Sequence, residues 1–110
     1  AGMSDLMRPP LYDAFHSIKE IKNDTDHKTV FDVVGPICES ADFIGKERKL
    51  CLKRGDFIAI ENVGAYGFVL ASNYNTRPKI DEYIISNSKI NKIRDRETIN
   101  QILENELKFL

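Results

Sequence analysis

The feature that most constrains the fold is a series of short apolar or β-branched runs, each bounded by residues that favour turns. The runs cover residues 29–34, 57–60, 81–86 and 89–94, and a further one lies at 17–21. Runs of about four to eight such residues between turn formers are typical of strands, and the two between 81 and 94 would form a hairpin. The chain is therefore predicted to be mainly β, a small β-barrel or sandwich with a short helix at its N-terminal end and a helix at its C-terminal end.

The two predicted helices have different sequence signals. Pro10 suits the first turn of a short N-terminal helix, in which Leu11 and Phe15 lie four apart and would share the buried face. Arg8 directly precedes a proline and is therefore expected in extended backbone. At the other end of the chain, Asp95 can cap a helix. The apolar stripe of that helix would consist of Ile99, Ile102, Leu103 and Leu107.

Length and charge narrow the functional classes. The chain has 110 residues, of which 42% are hydrophobic, and this suits one globular domain with one core. Its formal net charge is -1, and no basic patch interleaved with aromatic residues indicates a nucleic-acid binder. No apolar run approaches the roughly 20 residues that span a bilayer. The first residues lack the pattern of a signal peptide, which favours a cytoplasmic protein. They also read like the interior of a longer protein.

The cysteines and histidines indicate neither a required disulfide nor a metal site. Cys38 and Cys51 are the two cysteines, and in a domain without an export signal both are expected to be reduced, although sequence alone leaves a disulfide open. Together with His16 and His27 they show no paired-ligand spacing, so no structural zinc site is predicted. His16 is expected to be structural, Cys51 inert and His27 solvated.

The stretch most suggestive of chemistry follows the run at 29–34, which is expected to be a buried strand. That run ends at Gly35 and Pro36, a pair that stops regular structure. Cys38 and Glu39 then stand on a loop, where binding and catalytic side chains concentrate. The thiol can donate a proton, and the carboxylate can accept hydrogen bonds from a cationic ligand. The alternative, a buried thiol and a solvated carboxylate, stays open at this point.

Two further stretches carry groups that suit an anionic ligand. Arg8 and Tyr12 would lie close together at the start of the N-terminal helix, where a guanidinium and a phenol can bind a carboxylate. Gly64 and Gly67 bracket Tyr66, which indicates special dihedral angles and a phenol available to a phosphate or carboxylate. The structural alternatives are a surface arginine beside a half-buried tyrosine, and a hairpin bend with a packed aromatic ring.

Four stretches, at 7–16, 34–43, 64–67 and 72–78, together resemble one enzyme family in their residues, order and spacing. They are similar to the diaminopimelate decarboxylases, pyridoxal-phosphate (PLP) enzymes of fold type III with an alanine-racemase-like architecture. The run Cys38-Glu39-Ser40 is the most specific piece of the resemblance. In the related ornithine and arginine decarboxylases an aspartate commonly follows the cysteine, so Glu39 favours diaminopimelate as the substrate.

The resemblance implies roles for five side chains. Arg8 and Tyr12 would bind the substrate, and Glu39 would bind its distal ammonium group. Cys38 would be the catalytic proton donor, and Tyr66 would contact both the substrate and the phosphate of PLP. In the family the cysteine and glutamate act in the neighbouring subunit's active site, so the resemblance also implies a homodimer with a shared active site.

The resemblance further implies what surrounds the chain. Residues 1–110 would form the C-terminal β-barrel domain, similar to that of alanine racemase, of a cytoplasmic enzyme that converts meso-2,6-diaminopimelate to L-lysine and CO2 in lysine biosynthesis. The (β/α)8 barrel that binds PLP, with its Schiff-base lysine, is absent from this chain, so the chain alone is expected to be inactive. Two alternatives stay open: half of an ornithine- or arginine-type decarboxylase, and a non-catalytic β-barrel module.

Overall fold

A computed structural model describes residues 1–21 and 27–110, which form two compact units, Ala1–Ala71 and Ser72–Leu110. The turn predicted at 23–27 falls outside the described residues except for His27, which is exposed as expected. The first unit contains all five candidate site residues.

Short strands in antiparallel pairs make up most of the regular structure. In the first unit the elements are α1 (Arg8–Tyr12), β1 (Ile18–Glu20), β2 (Thr29–Val34), β3 (Phe43–Leu50), β4 (Ile58–Ile60) and α2 (Gly67–Leu70). In the second unit they are a 3-10 helix (Tyr74–Thr76), β5 (Glu82–Ser86), β6 (Lys89–Arg94), α3 (Ile99–Ile102) and α4 (Glu104–Leu107).

The strands pair as β1 with β4, β2 with β3, and β5 with β6, each pair antiparallel. The mainly β prediction is therefore confirmed, and within the described residues the three two-stranded sheets form no closed barrel. Among the same residues, no helix has the length and apolar character needed to cross a bilayer. Nor do three or more His, Cys, Asp or Glu side chains converge on one point where a metal could bind.

The first unit has a small apolar core, and one of its residues belongs to the loop that carries Cys38. Its buried apolar side chains are Leu6, Ile37, Ile44 and Leu50. Ile37 directly precedes Cys38, so its buried side chain anchors the loop to the core. Cys51 is half-buried, and its backbone N–H donates to Glu20 Oε1 at 2.8 Å. That hydrogen bond is the main cause of a lowered pKa of the Glu20 carboxyl.

The strand β2 exists as predicted, but the expectation that it is buried is wrong. Its residues alternate between exposed and half-buried, and Val30 and Val34 are both more than half exposed. The pairing of β2 with β3 contains bulges, one of them held by Asp32 Oδ1, which accepts from Glu47 N–H at 2.8 Å. β3 was not predicted from the sequence, because its centre is a run of charged residues, most of which face the solvent.

The N-terminal helix differs from prediction in two respects. Arg8 is the first residue of α1 rather than extended, since the two prolines that follow it fit the first turn of a helix. Leu11 and Phe15 do not form a buried face, being 53% and 75% exposed. The guanidinium of Arg48 on β3 lies 3.9 Å from the centre of the Phe15 ring, a cation–π contact that partly covers the ring.

In the second unit the predicted hairpin is confirmed. Asn87 and Ser88 both have positive φ, 48° and 60°, as a two-residue turn between antiparallel strands requires. The predicted helix cap is wrong. Thr98 rather than Asp95 caps α3, in a capping box with Gln101 that satisfies backbone N–H groups at both positions. The single predicted helix is divided at Leu103 into α3 and α4.

Candidate active site

Cys38 and Glu39 lie near the middle of the loop that joins β2 to β3, and both are exposed. The loop is closed at its base by Gly35 N–H, which donates to the Asp42 carbonyl at 2.9 Å. A second hydrogen bond, from Asp42 N–H to the Glu39 carbonyl at 3.0 Å, forms a turn inside the loop. The thiol is therefore presented on a loop closed by hydrogen bonds, and the alternative of a buried Cys38 is wrong.

The side chain of Asp42 is the internal support of this loop. The residue is 4% exposed, and Oδ2 accepts from Ile37 N–H at 2.6 Å. Oδ1 accepts from Met3 N–H, also at 2.6 Å. Asp42 lies in the stretch 34–43 that carries the family resemblance, but no role was predicted for it. A loop aspartate often bonds to backbone groups near it in the chain, whereas a partner 39 residues away cannot be read from the sequence.

Gly35 provides the space that this carboxylate occupies. A Cβ on Gly35 would lie 2.3 Å from each of the two Asp42 carboxylate oxygens. Non-bonded heavy atoms do not approach this closely, so a side chain at Gly35 would displace the Asp42 carboxylate. Gly35, directly after β2, does not have a positive φ. A glycine is needed here because the Asp42 carboxylate approaches its backbone closely.

Arg8 and Tyr12 occupy successive turns of α1, one residue at each end of the helix. Residues four apart lie on the same face, so the predicted proximity of these two side chains follows from the helix. Arg8 is half-buried, and Tyr12 is 64% exposed. The helix ends at Asp13, which has a φ of 52° and donates its N–H to the Arg8 carbonyl.

Tyr66 lies on a third segment, directly before α2, with its side chain 67% exposed. Gly64 and Gly67 were expected to supply the special dihedral angles. That expectation is wrong, because Asn62 and Tyr66 themselves have positive φ, 58° and 60°, and the two glycines do not. A Cβ on either glycine would have no heavy atom within 4 Å.

His16 holds the start of the segment that carries Tyr66, at the point where the chain leaves β4. The residue is 3% exposed, and its Nδ1 donates to the Glu61 carbonyl at 3.0 Å. Glu61 N–H in turn donates to the Ser17 carbonyl at 2.9 Å. The Glu61 carboxylate pairs with Lys19 at 2.6 Å, and this contact is the main cause of its lowered pKa. His16 is therefore structural, as its sequence position predicted.

Chemically, the first unit presents groups of three kinds. A thiol and a carboxylate share one loop, a guanidinium and a phenol share one helix, and a second phenol stands on the segment before α2. A thiol can transfer a proton, a carboxylate can bind an ammonium group, and a guanidinium can bind a carboxylate. This set suits a substrate that is itself an amino acid.

Comparison with known proteins supports that chemistry. Residues 1–64 match the family model of the pyridoxal-dependent decarboxylase C-terminal sheet domain. The diaminopimelate decarboxylase of Neisseria meningitidis is 44% identical over 110 residues, which cover 100% of this chain and 27% of that protein. The match to the corresponding enzyme of Vibrio cholerae is 42% identical over 93% of this chain and 24% of that protein.

Solved structures give the same result. The crystal structure of Helicobacter pylori diaminopimelate decarboxylase complexed with L-lysine superposes with a TM-score of 0.91 at 46% identity, over 100% of this chain and 27% of that one. The chain thus spans about a quarter of the length of the relatives that it matches. By its matching family model and these relatives, the chain belongs to the pyridoxal-dependent decarboxylases, within their C-terminal sheet domain.

Proposed function

We propose that this chain is the C-terminal part of a diaminopimelate decarboxylase, which converts meso-2,6-diaminopimelate to L-lysine and CO2. The observation that carries the proposal is the exposed pair Cys38 and Glu39 on a loop tied to the core. Relatives 42–46% identical bear that enzyme's name, and one of them is solved with L-lysine. Glu39 favours this substrate over ornithine or arginine.

The proposed reaction assigns one task to each side chain. When bound, PLP supplies the electron sink that accommodates the electron pair left behind when CO2 departs. Cys38 then donates the proton of its Sγ to the carbon that has lost CO2, and solvent returns a proton to the thiolate. The new C–H bond thus replaces the broken C–C bond, and the reaction needs no external oxidant or reductant.

Substrate binding uses charge complementarity. Diaminopimelate carries a second amino-acid centre far from the bond that breaks. The Glu39 carboxylate would bind the ammonium group of that centre, while Arg8, assisted by Tyr12, would bind its carboxylate. Hydrogen bonds to charged groups contribute about 1.5–3 kcal/mol each. Ornithine lacks the distal carboxylate and would leave Arg8 unpaired.

The residues present fit one part of a PLP site. Tyr66 is exposed, and its hydroxyl can donate to a phosphate oxygen, which would make it both a substrate and a cofactor contact. Within the described residues, no lysine stands in a motif assignable to the Schiff base. The rest of the cofactor site is therefore assigned to a preceding (β/α)8 barrel, and the 110-residue chain alone is expected to be inactive.

The proposal extends to the assembly. Residues 1–110 would belong to a β-barrel or sandwich domain of the alanine racemase C-terminal type, completed by the rest of the enzyme. Exposure of Cys38 and Glu39 on this chain is consistent with their acting in the active site of a neighbouring subunit, in a cytoplasmic homodimer.

The test uses the full-length protein that contains this chain. Cys38→Ala should lower kcat on diaminopimelate, and Glu39→Gln should raise KM, both with unchanged circular dichroism. Cys51→Ala is the matched control, because the second thiol is half-buried and follows the end of β3 opposite to the loop. Unchanged turnover in both loop variants would favour a non-catalytic β-barrel module. Preference for ornithine or arginine in a substrate panel would favour the related decarboxylases.

A further inference from the structure

We propose that His16 is a positioning residue that sets the spacing between the Arg8–Tyr12 helix and the segment that carries Tyr66. The inference rests on the proposed function, in which both elements contact the substrate in the active site of their own subunit. Cys38 and Glu39, which would serve a neighbouring subunit, are not involved. Being 3% exposed, His16 itself contacts neither substrate nor cofactor, and it acts through one hydrogen bond to the backbone.

That hydrogen bond lies where β1 begins and β4 ends. Ile18 and Ile60 stand opposite each other in this antiparallel pair. One residue beyond β4, both backbone polar groups of Glu61 are bonded to the chain that precedes β1. Its N–H donates to the Ser17 carbonyl at 2.9 Å, and its carbonyl accepts from His16 Nδ1 at 3.0 Å. The imidazole thus extends the strand pairing by one side-chain contact.

This contact is the property that distinguishes histidine from an apolar ring at position 16. A carbonyl oxygen can only accept, so Nδ1 carries the hydrogen. The other ring nitrogen, Nε2, is buried and has no hydrogen-bond partner among the described residues. A hydrocarbon ring would fill the same space without the cost of burying that nitrogen. The polar ring is therefore explained by the Glu61 carbonyl alone.

On one side, the contact is passed to α1 over a short connection. Three residues separate the helix from His16. The first two donate their N–H groups to the Arg8 carbonyl, the second of them at 3.4 Å. The third, Phe15, has its ring centre 3.9 Å from the guanidinium of Arg48 on β3. Because each residue of the connection makes a contact, a displacement at His16 would be passed to the helix that carries Arg8.

On the other side, the contact holds the start of the segment that carries Tyr66. Asn62 directly follows Glu61 and has a φ of 58°, and Tyr66 has a φ of 60°, which is uncommon for an aromatic residue. Such conformations persist where the surrounding structure over-determines them. Gly67 is buried at the far end of the segment. The bonded backbone of Glu61 holds the near end, and loss of the imidazole would release it.

The experiment compares His16→Leu with His16→Asn in the full-length enzyme. The two replacements have nearly the same shape, but the asparagine NH2 group stands where Nδ1 does and can donate to the Glu61 carbonyl. An error of about 1 Å in the placement of substrate-binding groups can cost on the order of a hundredfold in rate. We therefore expect His16→Leu to lower kcat/KM by about that factor and His16→Asn to retain most of it. Equal values in the two variants would overturn the proposal.

A second readout measures the substrate site without turnover. L-lysine, the proposed product, is titrated calorimetrically into each full-length protein. Its Kd should rise roughly tenfold in His16→Leu and stay near the wild-type value in His16→Asn. Wild-type affinity in His16→Leu would overturn the positioning role alone. A wild-type protein that does not bind L-lysine would show that the proposed function has failed, and this inference with it.

Glu20→Met is the matched control for a general loss of stability. Glu20 is the last residue of β1, and its Oε1 accepts from Cys51 N–H at 2.8 Å. The variant thus removes a side-chain bond to the backbone from the opposite end of the same strand. It should lower the thermal midpoint but leave kcat/KM and the Kd for L-lysine unchanged. If it lowers kcat/KM as far as His16→Leu does, stability explains both losses and the proposal is wrong.

A further variant keeps the test decisive if His16→Leu does not fold. The amide nitrogen of glutamine corresponds to Nε2 rather than Nδ1, so His16→Gln should lose kcat/KM and L-lysine affinity as His16→Leu would. Full activity in His16→Gln would overturn the proposal. If neither variant folds, the imidazole serves the fold alone and the proposal is likewise wrong.

Discussion

At the scale of single residues, burial separates the side chains that support the site from those that would perform its chemistry. Cys38, Tyr12 and Tyr66 are exposed, whereas Asp42 and His16 are at most 4% exposed. The exposed groups could be named as candidates from the sequence, because their types and their positions next to turn formers can be read locally, but their exposure was left open there. The support given by Asp42 could not be predicted, since its function depends on a backbone group far away in sequence.

Arg8 provides a test of substrate binding at this scale. In the full-length enzyme, Arg8→Lys should lower kcat/KM for diaminopimelate by roughly 10- to 100-fold, because an ammonium group cannot reproduce the bidentate contact with a carboxylate. Arg54→Lys, at an exposed turn, is the control and should have no effect. Steady-state kinetics at several substrate concentrations measures both. An unchanged kcat/KM would remove Arg8 from the substrate site.

His16 provides a test of local stability. His16→Phe keeps a ring in the buried position but removes the donor to the Glu61 carbonyl, which should cost about 1–3 kcal/mol. Hydrogen exchange of peptides covering residues 58–66 should then lose protection by the corresponding factor. His27→Phe, at an exposed position, is the control. Equal exchange in both variants would show that the Nδ1 hydrogen bond does not hold this segment.

At the scale of elements, a strand or turn was predicted correctly where all the residues that define it lie within a few positions of one another. The β5–β6 hairpin was predicted because its two-residue turn lies between two strand-like runs, and the turn residues adopt the required positive φ. β3 was missed because charge on its exposed face hid the strand pattern. Asp95 was preferred as a cap over Thr98 because the capping box with Gln101 was overlooked.

The connection before β5 depends on the side chain of Glu97, which lies directly before the cap of α3. Its Oε2 accepts from Lys79 N–H at 2.9 Å and from the Asn73 amide at 2.6 Å. These hydrogen bonds, the first more than the second, lower the pKa of Glu97. A glutamate with a lowered pKa in the folded state contributes stability above its ordinary pKa of about 4.3 and loses it as the pH falls through the folded value.

Glu97→Gln should therefore destabilise the protein at neutral pH, and the difference from the wild type should shrink as the pH falls below the ordinary glutamate range. The thermal midpoints of both proteins between pH 7 and pH 3 measure this difference. Glu106→Gln, at an exposed position of α4, is the control and should follow the wild type throughout. A difference independent of pH would mean that the charge of Glu97 is irrelevant.

At the scale of the whole molecule, exposed apolar surface is the feature that local sequence patterns did not predict. The side chains of Leu11, Phe15, Val34, Phe57 and Val69 are each more than half exposed. The prediction of β2 as a buried strand was wrong for the same reason: a β-branched run indicates a strand but does not identify its covering partner. In the proposed enzyme the remaining three quarters of the protein, and a second subunit, would supply such partners.

This leads to a prediction about the 110-residue chain on its own. Exposed apolar side chains can promote association, so the isolated chain should sediment as concentration-dependent oligomers and release no CO2 from diaminopimelate in the presence of added PLP. Phe57→Ser should shift the distribution towards monomer, because Phe57 is 77% exposed. Lys53→Ser, an exposed polar change in the same connection, should not. A wild-type chain that stays monomeric at high concentration would show that these side chains do not drive association.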